Sequence, residues 1–124
     1  MRLEHDPGGA SRTLATTVET ADSFLSRARG LMFRRSLPDD YALAFRFDDV
    51  AVRDVHMVFV PFPLDAVWAV DGEVTRVERL SAWTGLAKAR GDVLFELPAG
   101  SAENVAVGDA VRLVESGPGR GSVD

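Results

Sequence analysis

Two side chains are chemically unusual for their surroundings. Asp65 follows Pro63-Leu64 at the head of an otherwise apolar stretch, and His56 lies in a run of Val, Met and Phe. A carboxylate among apolar residues is costly to bury unless paired, and burial raises its pKa. An imidazole changes charge near neutral pH, so beside a carboxylate it can carry a proton. The chemistry open to such a pair is general acid–base transfer. The plainer readings are an ion pair or turn cap for Asp65, and a backbone hydrogen bond or a solvent-facing ring for His56. A third residue, Trp83, sits among Ser, Ala, Thr and Gly. On a loop beside a sheet it reads either as a pocket rim or partner contact, or as a plug over the core.

Other chemistries lack their residues. There is no cysteine, which removes disulfides, thiolate metal sites and cysteine nucleophiles. His56 and Asp65 are two ligands where a catalytic zinc takes about three, and no His-Glu-x-x-His or calcium-loop spacing occurs, so no metal and no cofactor are expected. No Gly-x-Ser-x-Gly elbow or phosphate-cradling glycine loop is present. Gly30, inside a helical pattern, reads as tight packing or an early helix end.

The elements that must position these residues follow from periodicity. Arg12 to Val18 reads as a short strand. From Thr20, an N-cap residue, Ala21, Phe24, Leu25, Ala28, Leu31 and Met32 form one apolar stripe at helical spacing, with Arg27, Arg29, Arg34 and Arg35 toward the C-terminal end. Tyr41 to Phe47 alternates large and small or polar, as a half-buried strand does. Val50 to Val60 is apolar on both faces and reads as a central strand, ended by Pro61 and Pro63. Leu64 to Val70 and Glu73 to Leu80 flank Asp71-Gly72, a two-residue hairpin turn. Trp68 is in phase with Leu64, Ala66 and Val70 and reads as core. Ser81 to Gly91 reads as a loop, followed by strands from Asp92 to Leu97 and from Ala110 to Glu115.

The hairpin sharpens the reading of Asp65. An unbroken ladder sets Val70 opposite Glu73, Val67 opposite Arg76 and Asp65 opposite Glu78. Opposed like charges are unfavourable. A bulge, a shared proton, a metal or an intervening arginine is therefore expected, with Arg76, Arg79 and Arg29 as candidates.

One helix followed by about six short strands means α+β. The expected architecture is a small, strongly bent antiparallel sheet or barrel with the amphipathic helix packed on it. A single domain over residues 11–115 is expected, with disordered tails at 1–10 and 116–124, where Pro and Gly concentrate. No run reaches the roughly 18 apolar residues of a membrane span, and Met1 to Ala10 does not read as a signal peptide, so a cytoplasmic monomer is the default. The net charge of −5 disfavours nucleic acid. Thirteen arginines against the single Lys88, with acidic excess, hint at a high-GC and salt-adapted, archaeal-like source.

Several segments in order carry a family resemblance. They are Arg29-Gly30-Leu31-Met32-Phe33-Arg34, Val55-His56-Met57, Pro63-Leu64-Asp65, Val70-Asp71-Gly72-Glu73-Val74, Leu94-Phe95-Glu96-Leu97-Pro98-Ala99-Gly100 and Gly108-Asp109. Spanning about residues 13–114, they resemble the domain-of-unknown-function family DUF192. The resemblance implies a β-rich fold with one helix and no settled activity. Where bacterial members often carry Trp-Met-Lys-Asn-Thr, this chain reads His56-Met57-Val58-Phe59-Val60. What the resemblance carries over is a site at Arg29, Met57 and Asp65, with His56 in place of the tryptophan.

The leading expectation is a non-enzymatic binding or accessory module for a small molecule or protein, with a small pocket near Arg29, His56, Met57, Asp65 and Trp83. The alternatives are an enzyme using Asp65 or His56 as general base, and an interaction module docking through the Trp83 loop. The last requires an exposed apolar patch around that loop.

Overall fold

The β5–β6 hairpin organises the molecule. Asp71 and Gly72 have φ of 50° and 79°, the two left-handed residues of a type I′ turn. Gly72 carries the larger angle without the steric penalty of a side chain. The computed structural model describes residues 1–21 and 34–115. Within them run eight strands: β1 (Arg2–Asp6), β2 (Arg12–Ala15), β3 (Thr17–Thr20), β4 (Tyr41–His56), β5 (Leu64–Val70), β6 (Glu73–Leu80), β7 (Leu86–Pro98) and β8 (Ala110–Val114).

All eight belong to one sheet in the order β2-β1-β8-β6-β5-β7-β4-β3. The two end strands, β2 and β3, are separated in the chain by Thr16 alone. Consecutive Cα atoms are about 3.8 Å apart, so the sheet must curl until its ends nearly meet. The seam is left unpaired: β3 instead runs parallel to β4, from Thr17 opposite Tyr41 to Thr20 opposite Ala44.

This corrects the expected fold class. The described residues hold a single sheet and no helix, so the architecture is all-β rather than α+β, and the sheet is not wholly antiparallel. The apolar stripe read as a helix falls almost entirely on residues 22–33, outside those described. The N-terminal residues differ from expectation as well. Arg2–Asp6 is an interior strand, paired with β2 on one side and β8 on the other, and it buries Leu3 and His5.

Both faces of the central strands are apolar, which is why β5 reads as a nearly unbroken hydrophobic run. Leu64, Ala66 and Trp68 join Tyr41, Leu43, Phe45, Met57 and Leu94 in one core. Val67 and Ala69 point the other way, into a second core with Leu3, Ala42, Ala44, Phe95, Leu97 and Val111. The small residues of Tyr41 to Phe47 are thus buried too. A loop from Ala99 to Asp109 closes the second core through Ala102 and Val105.

Strands β4 and β7, of 16 and 13 residues, are longer than the sequence pattern indicates. Past an irregularity after Arg46 the pair continues as a two-stranded ribbon, with Ala51 opposite Gly91 and His56 opposite Leu86; the ribbon's inner face packs Val55 and Ala87 on the first core. The segment expected as a central strand is half-buried: Val50 and Val52 face solvent, whereas Val55, Met57 and Val60 are buried. Of the segment expected as a loop, Ser81 to Gly91, the part from Leu86 onward is its partner strand.

Candidate functional site

Asp65 is only 2% exposed, and both of its oxygens accept hydrogen bonds. Its Oδ1 accepts from Arg79 Nε at 2.8 Å, and its Oδ2 accepts from the backbone N–H groups of Gly100 and Ala102, both at 2.9 Å. A bulge creates this pairing. Ala69 faces Val74 but Trp68 faces Arg76, which leaves Thr75 unmatched and brings Arg79, rather than Glu78, opposite Asp65. Of the devices expected to relieve the like-charge clash, two occur together: a bulge and an arginine. The carboxylate therefore anchors the turn after β7 to the start of β5.

The remaining predicted residues do not gather around it. His56 ends β4, exposed, opposite Leu86; Asp65 is opposite Leu97, eleven residues further along β7. The strand curls between these points, since Met57 beside His56 and Leu64 beside Asp65 pack in one core; what divides the pair is that His56 faces solvent and Asp65 is buried. Met57 is buried at 1% in the core of Trp68 and Leu64, while Asp65 points to the opposite sheet face. Arg29 lies outside the described residues.

His56 and Trp83 do share a locality, the far end of the ribbon. Two short loops meet there. Met57 N–H donates to Gly85 C=O, and Trp83 N–H donates to Val60 C=O, each at 3.0 Å. Trp83 has φ of 68° and Phe59 has φ of 60°, a conformation that side chains with a Cβ avoid. Despite that, both rings project outward, 58% and 51% exposed. Val58, Leu86 and Val52 are exposed beside them along the ribbon, so large apolar residues concentrate at one end of the molecule.

A further group escaped the sequence. Glu96 lies mid-strand in β7 between Leu43 and Ala66, on the face of the first core, and is 6% exposed. Burial pushes its carboxyl up to about 8, opposed by the nearby Arg34 guanidinium. Glu19, in register with Leu43 on the next strand, accepts hydrogen bonds from Tyr41 Oη and from Arg34 Nη2. Those bonds, Tyr41's first, hold Glu19 below the usual carboxylate range. Glu96 is thus a neutral acid beside an ion pair. The available signal was strand phase: Phe95 and Leu97 take one buried face, and Leu94 marks the other as buried also.

A second missed pair is His5 and Asp109, whose Nε2 and Oδ2 lie 2.7 Å apart. The ring is 1% exposed, and its Nδ1 has no partner among the described residues. This pair ties β1 to the turn before β8. Among the described residues no three acidic or histidine side chains gather as a metal site. No described helix is long and apolar enough to cross a membrane.

Known proteins resemble this chain chiefly in fold. A crystal structure from Sinorhizobium meliloti 1021, described as a candidate transcription regulator, matches with a TM-score of 0.78 at 24% identity, covering 90% of this chain and 91% of the other. A protein of unknown function from Novosphingobium aromaticivorans DSM 12444 matches with a TM-score of 0.79 at 21% identity, covering 91% and 84%. No curated protein matches the sequence. The family model DUF192, described as Uncharacterized ACR, spans residues 6–113. With nearly the whole described sheet inside that match, the chain belongs to the DUF192 family.

Proposed function

We propose that this domain is a non-catalytic binding module that docks a protein partner through the far end of the β4–β7 ribbon. The observation that carries the reading is the pair of outward-facing aromatics held at positive φ. A left-handed non-glycine residue costs on the order of 1–3 kcal/mol, and such strain concentrates at functional sites. Here it is spent on exposing Trp83, an aromatic of the kind that dominates interface energetics. His56 and Trp83 stay in this site; Asp65 is given an architectural role instead.

The general-base reading of Asp65 loses support from its own bonds, since each oxygen already has a donor. A regulatory role like that named for the Sinorhizobium protein would, for a chain of net charge −5, run through protein rather than DNA contact.

The test is site-specific photo-crosslinking in an extract of the source organism. A benzoylphenylalanine in place of Trp83 should give an adduct of defined mass, lost in Leu86→Glu. The same residue in place of Val107, exposed elsewhere, serves as control. Identical adducts from both positions would remove the docking surface.

A further inference from the structure

We infer that the ribbon takes its partner as an added β-strand, and that this partner is an extended acidic segment with an apolar residue at alternate positions. The inference rests on the docking role proposed above and names its occupant. β7 pairs with β4 along one side for almost its whole length. On its other side β5 pairs only from Val93 to Pro98. From Leu86 to Arg90, no described strand pairs with it on that side, although β6 lies alongside, and an unpaired edge is a template for another chain.

Side chains fill part of the gap. Arg76 Nη1 donates to Lys88 C=O at 2.8 Å, and Thr75 Oγ1 donates to Arg90 C=O at 2.5 Å. Both donors come from the bulged stretch of β6, so the bulge that rescues Asp65 also shields this edge. A guanidinium about two-fifths exposed and a hydroxyl can be exchanged for backbone N–H donors without a net loss of hydrogen bonds.

Shape and charge specify the class of occupant. A depression of about 630 Å3 is lined by Val52, Asp54, Arg76, Leu86, Ala87 and Lys88. Leu86 and Val52 provide its exposed apolar wall, 72% and 59% accessible, where an alternate side chain of an added strand would lodge. Around it stand the cations Arg76, Lys88 and Arg90 against the anions Asp54 and Glu78. On a chain of net charge −5 this rim has the opposite sign, which steers an anionic segment to this edge. Displacement by the incoming strand frees Arg76 Nη1 from Lys88 C=O to meet a second carboxylate, while Nη2 stays on Glu78 Oε1 at 2.9 Å.

The probes are three capped hexapeptides: alternating Glu and Leu, alternating Lys and Leu, and the first with every second amide N-methylated. Amide resonances of the full chain report the site. The acidic peptide should shift Leu86 to Arg90, the N-methylated one should not, and Arg76→Glu with Lys88→Glu should weaken binding about tenfold. Equal binding of acidic and basic peptides overturns the charge class while docking stands. Self-association through these residues, seen by sedimentation and abolished by Leu86→Glu, makes a second copy the occupant and overturns the acidic strand. No shift from any peptide on a monomeric chain also overturns it, and the crosslinking at position 83 then decides the docking role separately.

Discussion

Asp65 faces Arg79 across the β5–β6 ladder, Oδ1 to Nε 2.8 Å apart, because Thr75 is one residue more than the hairpin needs. Without that bulge the carboxylate would confront Glu78. Arg79 is about half exposed, so its ion pair contributes modestly. The two backbone N–H groups bound by Oδ2 carry more weight, since leaving a buried donor unpaired costs about 1–3 kcal/mol each. Asp65→Ala should therefore destabilise by roughly 3 kcal/mol, and Arg79→Ala by about 1 kcal/mol, in urea unfolding. Equal losses would assign the anchoring to the ion pair instead.

Glu96 gives the domain an alkaline sensitivity. Its folded pKa, about 8, lies above the ordinary 4.5, so the folded state holds a proton that the unfolded state releases. That contribution is complete below about pH 4.5 and falls as pH rises through 8. Glu96→Gln keeps the shape without the ionisation. Melting temperature should decline less between pH 5 and 9 in this variant than in the wild type. Parallel curves would show that another group titrates.

Strain and exposure at Trp83 make an unusual mutational prediction. Trp83→Gly deletes a large aromatic yet relieves a positive φ, so stability should stay within about 1 kcal/mol of wild type or rise. Its fluorescence should lose the quencher-accessible component and keep only that of Trp68, whose exposure is 0%. Gly85→Ala should do the opposite. A Cβ there would lie 2.8 Å from Leu80 Cβ and from Met57 Cγ, overpacking worth about 1–3 kcal/mol.

Removal of residues 1–6 tests the N-terminal strand. β2 and β8 both pair with β1, and Leu3 and His5 are buried. The truncated chain should melt much earlier or lose cooperative unfolding, measured by circular dichroism. A melting curve unchanged by the truncation would return this segment to the status of a tail.

What could be read from sequence was whatever local chemistry dictates. Asp71-Gly72 announces its turn because few dipeptides tolerate two left-handed residues in succession. The like charges of Asp65 and Glu78 predicted trouble in the ladder, but not its remedy, because Thr75 carries no bulge signature. β1 was invisible for a different reason. In Arg2-Leu3-Glu4-His5-Asp6 only Leu3 is strongly apolar, and the buried face is completed by His5, whose partner Asp109 is 104 residues away. The ribbon is not legible in the sequence because Val50 to Val60 has the composition of core, whereas its apolar side chains in part face outward. Glu96 is hidden because a lone acid in a strand normally marks the solvent face, whereas both faces of this strand are buried.

The seam between β2 and β3 has a mechanical corollary. At that place the wall is joined by the peptide backbone of Thr16, not by a row of inter-strand hydrogen bonds. Closure of the wall at that place therefore rests on one residue's backbone and on Leu14, Ala15 and Val18 packed into the second core on either side of it, so its strength is set by apolar contact rather than by a ladder.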